Sequence, residues 1–272
     1  MTKGYLYVAT LSCAYYEAMI HSIRSLKDEV EDAKVAVYTH EHWVKDQDRE
    51  LFDHLVTPVP CSVRTKLWAL DKTPFDLTLY VDCDTYIITH EIDQVFDLIG
   101  DADVMMTQNR PYNSKVVYFS KDNQEFKGSK GRELDHFNQE HLQLYRDGKA
   151  CKMKWHCGLF VYKKNDRTDK LWNLWLETWR KHNEQPDGYK PYPESVKFWD
   201  TFAFYRIIEE NPDLVNIQKF PGDAKYNFIT GYRASEIEEL PALFHYTIPA
   251  ADVREKHEKD IKTKHGSFDI VR

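Results

Sequence analysis

The sequence predicts the α/β class, with a central, mostly parallel sheet flanked by helices, on three observations. Short apolar runs such as Tyr5-Leu6-Tyr7-Val8-Ala9-Thr10 and Leu77-Thr78-Leu79-Tyr80-Val81 read as strands, and segments of helical periodicity separate them. The order strand, helix, strand repeats from the beginning of the chain, as in a doubly wound parallel sheet. The 272 residues, 42% of them hydrophobic, suffice for one large core, so a single unit over 1–272 is expected.

Taken in order, Tyr5 to Thr10 is the first strand. Tyr15 to Leu26 follows as a helix, with Met19, Ile20, Ile23 and Leu26 on one face. Val35 to Thr39 is the second strand, and Ser62 to Leu70 is helical up to the break at Pro74. The strand Leu77 to Val81 leads to a short helix from Ile92 to Ile99 and a strand from Val104 to Thr107. Residues 121–150 are polar around Lys127-Gly128-Ser129-Lys130-Gly131 and predict an exposed excursion with a short helix near Leu134 to Tyr145. Gly158 to Tyr162 restarts the sheet, Asp169 to His182 is a tryptophan-rich amphipathic helix, and a Pro/Tyr-rich loop over 186–193 precedes a helix from Thr201 to Glu209. From Val253 onward the chain is a charged tail.

Bulk properties exclude some classes of function. A net charge of −7 argues against general binding to nucleic acid or anionic membranes, while leaving room for a local basic pocket. Cys13, Cys61, Cys83, Cys151 and Cys157 are an odd set without CxxC spacing, so reduced thiols are expected, with no disulfide framework or structural zinc. The start of the chain lacks the long apolar stretch of a signal peptide, and no window reaches the length of a membrane span. The expected compartment is the cytoplasm.

The most informative feature is Asp82-Cys83-Asp84, set between the apolar run ending at Val81 and Tyr86-Ile87-Ile88. Extended backbone sends residues two apart to the same side, so both carboxylates can face one divalent cation at the carboxyl edge of a sheet. Two other Asp-x-Asp triplets, Asp46-Gln47-Asp48 and Asp101-Ala102-Asp103, lack a preceding buried strand and read as solvated charges.

With these residues in view, the chain resembles the glycogenin-like branch of glycosyltransferases, which includes bacterial lipopolysaccharide galactosyl- and glucosyltransferases. Arg64-Thr65-Lys66-Leu67-Trp68 resembles the T-K-L segment of that family, Tyr80 to Thr85 its hydrophobic D-x-D-T strand, and Ile92 to Asp97 its I-D-x-L-F-D helix. Cys157 to Tyr162 is similar to the S/A-G-V-F-V-Y strand, Trp199-Asp200-Thr201 stands where a D-Q pair is expected, and Tyr226-Asn227-Phe228 and Phe244-His245-Tyr246 resemble the K-F-N and H-F segments. The resemblance implies the single-domain, Rossmann-like GT-A arrangement, with a nucleotide-sugar donor held by about 1–110 and a glycan or other hydroxyl acceptor by about 111–252. It also implies retention of anomeric configuration, although Glu194 or Asp200 is available as the base of an inverting reaction.

Residue by residue, the resemblance makes Asp82, Asp84 and His245 the ligands of a metal that neutralises the leaving diphosphate. Two carboxylates with one imidazole suit Mn²⁺ first and Mg²⁺ second. Ala9, Thr10 and Tyr15 match the uracil pocket of a UDP-sugar, Lys66 a contact to donor sugar or phosphate, Gly158 the donor-side turn, and Asp200 the acidic residue near the sugar. Four of these have a plainer reading as well: a packed core residue for His245 and Tyr15, an exposed helical lysine for Lys66, and a helix cap for Asp200. The sequence departs from the family in three places. His156 replaces the asparagine of the N-S/A-G turn, as a sugar contact, a group behind the site or a mere substitution. No glutamine follows Asp200. The H-x-x-G-x-x-K-P-W segment is replaced by His245-Tyr246-Thr247-Ile248-Pro249-Ala250.

Weaker constellations complete the reading. His40-Glu41-His42 has no third ligand in sequence and reads as a solvated loop, and His136 and His141 are wrongly spaced for one helical face. Tyr189, Tyr192, Phe198 and Trp199 are the aromatics of an acceptor platform or of the core. Two rival classes stand beside glycosyl transfer. A haloacid-dehalogenase-type phosphatase also uses a strand ending in D-x-D, with Gly222-Asp223 and Asn227 faintly like its later metal loop, but it places the motif near the chain start and wants Thr or Val where Tyr86 stands. The other is a non-catalytic nucleotide-sugar or glycan-binding module.

Overall fold

Strand β1 (Lys3–Ala9) shows how the chain builds its layers: Tyr5, Tyr7 and Ala9 enter one apolar cluster and Leu6 the other, the two-residue period of extended backbone. The computed structural model describes residues 1–10, 12–60, 62, 64–108, 117–120, 150–153, 155–184, 200–229 and 239–246. After β1 come α1 (Cys13–Glu29), β2 (Val35–Thr39), β3 (His54–Val56), α2 (Thr65–Ala69), β4 (Leu77–Val81), β5 (Thr85–Ile87), α3 (Val95–Leu98) and β6 (Val104–Gln108). Then follow β7 (Val117–Ser120), β8 (Ala150–Met153), β9 (Trp155–Lys163), α4 (Asp166–Glu184), α5 (Asp200–Glu210), β10 (Ile217–Lys219), α6 (Asp223–Tyr226), β11 (Phe228–Ile229) and β12 (Leu243–His245).

A seven-stranded sheet runs in the order β10-β6-β9-β4-β1-β2-β3. β2 and β4 lie parallel to β1, β3 to β2 and β10 to β6, whereas β9 is antiparallel to both of its neighbours. The sheet is therefore mostly parallel, as the alternating pattern predicts, with one reversed strand. An apolar run such as Gly158 to Tyr162 reads alike in either direction, so its orientation follows from the connections.

Helices cover both faces. On one, Tyr16, Met19, Ile23 and Leu26 of α1 and Val95 and Phe96 of α3 pack on Tyr7, Val37, Leu79 and Val81. On the other, Leu67 of α2, Trp172 and Trp175 of α4 and Phe204 of α5 pack on Tyr80, Phe160 and Tyr162. Both tryptophans are fully buried, so replacing either by alanine would cost on the order of 3–5 kcal/mol.

Two features of this topology place a site. β1 has β2 on one side and β4 on the other, so the carboxyl ends of β1 and β4 flank a topological switch point, where open α/β sheets hold ligands. A second sheet, in the order β11-β12-β5, brings a distant segment against the chain that leaves β4.

The predicted helix ends shift by a few residues. The expected helix over Ser62 to Leu70 is the five residues of α2 plus a 3-10 turn at Leu70–Lys72, and Ile92 to Ile99 divides into a 3-10 turn at His90–Gln94 and α3. The reading of Asp48 and Asp103 as solvated is corrected, because both are buried. Asp48 accepts hydrogen bonds from Tyr16 Oη and Arg24 Nη2, each at 2.9 Å. Asp103 accepts the Asn216 N–H at 2.8 Å and pairs with Arg167 at 3.1 Å, tying β6 to α4 and to the start of β10. Their triplet partners Asp46 and Asp101 are exposed. The excursion over 121–150 up to residue 149, its helix, His136, His141, the 186–193 loop, Glu194, the aromatics Tyr189 to Trp199 and the tail lie outside the described residues. Among the described residues no helix is long and apolar enough to cross a membrane, and Cys13, Cys83 and Cys157 are free thiols.

Candidate active site

The turn after β4 is fixed from all sides. Asp82 N–H donates to the Gly158 carbonyl (2.9 Å), Cys83 Sγ–H to Val8 O (3.1 Å), Thr85 Oγ1–H to Asp82 O (2.9 Å) and Tyr246 N–H to Asp84 O (2.8 Å). Tyr80, two residues before Asp82, donates its phenol to Asp82 Oδ1 at 2.6 Å. β5 then pairs antiparallel with β12 so that Thr85 faces His245. That register, and nothing local in sequence, sets His245 beside the carboxylates, with Nε2 3.2 Å from Asp84 Oδ1 and 4.0 Å from Asp82 Oδ2.

One ligand atom from each of Asp82, Asp84 and His245 lies within 4.8 Å of the other two, the one such group among the described residues. His40-Glu41-His42 forms no comparable group; His40 instead stacks on His42 and bonds Thr10 O through Nε2 at 3.0 Å. Electrostatics in the trio are strained by burial. Burial raises the Asp82 carboxyl, and neighbouring Asp84 adds to it against the pull of Lys66 and His245. Burial also works on Asp84 and His245, but their mutual attraction outweighs it, lowering the carboxyl and raising the imidazole. Two carboxylates and an imidazole converging on one point fit a hard or borderline divalent cation.

Opposite the trio stands a buried ion pair. Lys66 Nζ is 2.6 Å from Asp200 Oδ2 and 3.5 Å from Asp82 Oδ1, and it donates to the Cys157 carbonyl at 3.0 Å. The exposed-lysine reading of Lys66 is therefore corrected. Burial alone would raise the Asp200 carboxyl; Lys66 and Arg64 outweigh it and hold it low. Asp200 is also the first residue of α5 and accepts the Thr201 N–H at 3.0 Å, a bond to the next residue and not the cap bond two or three residues on that the helix-cap reading implies.

Thr10, Tyr15, Lys66, Asp82, Asp84 and Asp200 line one open cleft, joined by Val8, Arg64, Thr65, Tyr80 and Cys83. His245 does not line it; it is buried beside Asp84. Ala9 does not line it: its side chain is in the core and its carbonyl accepts Thr39 Oγ1–H at 2.7 Å. Tyr15 is half-buried, packing on the core and facing the cleft. Gly158 and His156 lie behind the trio. A Cβ at Gly158 would stand 2.5 Å from His245 Cε1 and 2.6 Å from Asp82 Oδ2, which explains the glycine. Sequence reasoning missed Arg64 and Tyr80, although Tyr80 sits at the two-residue spacing that puts it on the face of Asp82.

No family model and no curated protein matches the sequence. Solved structures do match. The galactosyltransferase LgtC in complex with donor and acceptor sugar analogues superimposes with a TM-score of 0.51 at 12% identity, covering 96% of each chain. The bifunctional glycosyltransferase WbbM matches with a TM-score of 0.53 at 11% identity, over 98% of this chain and 52% of that one. The glycosyltransferase GlyE of Streptococcus pneumoniae TIGR4 matches at 0.51 and 13%, over 91% of this chain and 55% of that one. The chain thus spans about half the length of WbbM and GlyE and nearly all of LgtC. With its mostly parallel sheet and the carboxylate turn at the end of β4, the chain has the GT-A fold that these glycosyltransferases share.

Proposed function

We propose that this protein is a metal-dependent glycosyltransferase that moves a hexose or pentose from a UDP-sugar to a glycan or other hydroxyl acceptor, with retention of configuration. The observation that carries the reading is the convergence of Asp82, Asp84 and His245 at the switch point of a GT-A fold. In this reading the three side chains hold Mn²⁺ or Mg²⁺, which when bound supplies charge neutralisation for the leaving diphosphate. Thr10 and Tyr15, with the Ala9 backbone behind them, bind the uracil end of the donor, and Tyr80 orients Asp82 through its phenol. Lys66 places a second positive charge beside Asp82 and holds Asp200 against the sugar. The low carboxyl of Asp200 keeps it ionised, suited to stabilise positive charge at the sugar or to accept a proton from the acceptor hydroxyl. Residues up to about 110 hold the donor and about 111–252 the acceptor.

Thermal-shift measurements with UDP, a panel of UDP-sugars and p-nitrophenyl phosphate, each with and without Mn²⁺, test the reading. Stabilisation by UDP or a UDP-sugar only with Mn²⁺ is the expected result, followed by sugar transfer or slow donor hydrolysis. Turnover of p-nitrophenyl phosphate without any response to UDP would replace it with phosphatase chemistry. Metal-dependent UDP-sugar binding without turnover on any acceptor panel would replace it with a binding module.

A further inference from the structure

Behind the trio of Asp82, Asp84 and His245, hydrogen bonds run in one direction only. The Gly158 N–H donates to His156 Nδ1 at 3.2 Å, and a backbone amide has no alternative role, so that nitrogen carries no proton. The Asn227 side chain touches the same nitrogen at 3.1 Å and must present its Nδ2–H₂ there, because its oxygen would face a lone pair. The same amide group reaches Thr107 Oγ1 at 3.0 Å, at the point where the register of β6 against β9 shifts. With the amide thus oriented, Asn227 Oδ1 faces His245 Nδ1 at 3.1 Å and can only accept. A neutral His245 is then pulled two ways, Asn227 Oδ1 accepting from Nδ1–H and Asp84 Oδ1, 3.2 Å away, accepting from Nε2–H; the first arrangement leaves the Nε2 lone pair toward Asp84 and Asp82. The two imidazoles meet edge to face, with centroids 5.1 Å apart and planes at 88°, which fixes the ring's direction as well.

We infer that Asn227 and His156 are positioning residues that lock His245 in the tautomer whose Nε2 lone pair points at Asp82 and Asp84. The inference rests on the reading of that trio as a cation site, and it gives His156, which departs from the family pattern, a role that an asparagine there would have to fill differently. Partners of this kind set both ring orientation and ligand basicity, and their loss costs about 10–100-fold in metal affinity.

Two readouts test it. In metal-free, ¹⁵N-histidine-labelled protein at alkaline pH, long-range ¹H–¹⁵N spectra report which nitrogen of His245 is protonated; titration with Mn²⁺ alone reports affinity. The expected wild-type result is the Nδ1-protonated tautomer with measurable Mn²⁺ binding. Asn227→Leu should shift His245 toward the Nε2-protonated form and weaken Mn²⁺ by about 10–100-fold. His156→Phe, which preserves the ring contact but removes the acceptor that orients the amide, should weaken Mn²⁺ several-fold, and it serves where Asn227→Leu does not fold. Wild-type tautomer and affinity in folded Asn227→Leu, or in His156→Phe, would overturn the inference. A Nδ1-protonated His245 that depends on Asn227, in a protein that binds no Mn²⁺, would support the lock and overturn the cation site instead.

Discussion

Lys66 and Asp200 form an ion pair, 2.6 Å from nitrogen to oxygen, with side chains only 13% and 9% exposed. Such a pair contributes little relative to an apolar replacement of both partners, but removing one of them leaves an uncompensated buried charge that costs about 3–5 kcal/mol. Its position in the cleft, with Lys66 also 3.5 Å from Asp82, makes it a link between the two groups of carboxylates.

Lys66→Met should therefore lower stability by about 3–5 kcal/mol in urea unfolding, whereas Asp200→Asn, which keeps an oxygen for the ammonium, should cost less. Asp200→Asn should also leave UDP affinity within roughly threefold and slow transfer by about tenfold or more, as expected of a group that acts on the sugar. A parallel loss of UDP binding and turnover would assign Asp200 to the donor site or to the scaffold. Melting curves read alongside separate either outcome from unfolding.

The three Asp-x-Asp triplets should separate in both activity and stability. Under the proposed reading Asp84→Ala removes a metal ligand and should cut transfer by at least about a hundredfold. Asp46→Ala and Asp101→Ala, at exposed positions, should be near neutral in both assays. Asp48→Ala should leave the chemistry intact but cost about 1–3 kcal/mol, because it leaves the buried Tyr16 hydroxyl without its acceptor, while the half-exposed Arg24 turns to solvent. Equal melting temperatures for Asp46→Ala and Asp48→Ala would contradict the burial of Asp48.

The contrast among those triplets marks how far the sequence was legible. Asp82 and Asp84 were readable because the cue is local: an apolar strand, then acids at the strand period. Asp48 and Asp103 were misread because what buries them is distant in sequence, Arg24 and Tyr16 for one, Asn216 and Arg167 for the other. His245 carries no local sign of its role, since its place depends on a register between two three-residue strands, β5 and β12, too short to show a pattern. It was reached through resemblance alone. The alternation of strands and helices gave the sheet and its covered faces, but a run of apolar residues does not state its direction, and the reversal of β9 is what places Gly158 and His156 behind the carboxylates.

Away from the cleft, Asp53 sets a pH dependence. Its carboxylate accepts the Val35 N–H at 2.9 Å and pairs with Lys34 at 3.0 Å and Lys27 at 3.4 Å, anchoring the start of β2. Burial would raise this carboxyl, but the amide and the two lysines prevail and lower it below 3.8. A lowered folded value means that the stabilisation is fully present above the unfolded value near 3.8 and is lost as pH falls through the folded one. Asp53→Asn should be less stable than wild type by about 1 kcal/mol at neutral pH, a difference that shrinks in high salt and closes under acid conditions. Urea unfolding at neutral pH and near pH 2 measures it, and a gap independent of pH would exclude the charge as its source.

Gly158 and Gly4 offer a paired test of the site's close packing. A Cβ at Gly158 would lie 2.5 Å from His245 Cε1, 2.6 Å from Asp82 Oδ2 and 2.7 Å from His156 Cε1, so Gly158→Ala must push a carboxylate or an imidazole out of place. At Gly4 the three atoms nearest the intruding carbon all belong to the Phe75 ring, the closest at 2.4 Å, in a different part of the core. Both substitutions overpack a buried position and should cost about 1–3 kcal/mol. They should differ in Mn²⁺ affinity, which calorimetric titration would find reduced by about tenfold or more in Gly158→Ala and unchanged in Gly4→Ala, since only the first displaces atoms of the proposed cation site. If the two variants lost stability alike and bound Mn²⁺ alike, Gly158 would be a packing residue of β9 and the geometry around His245 would tolerate displacement.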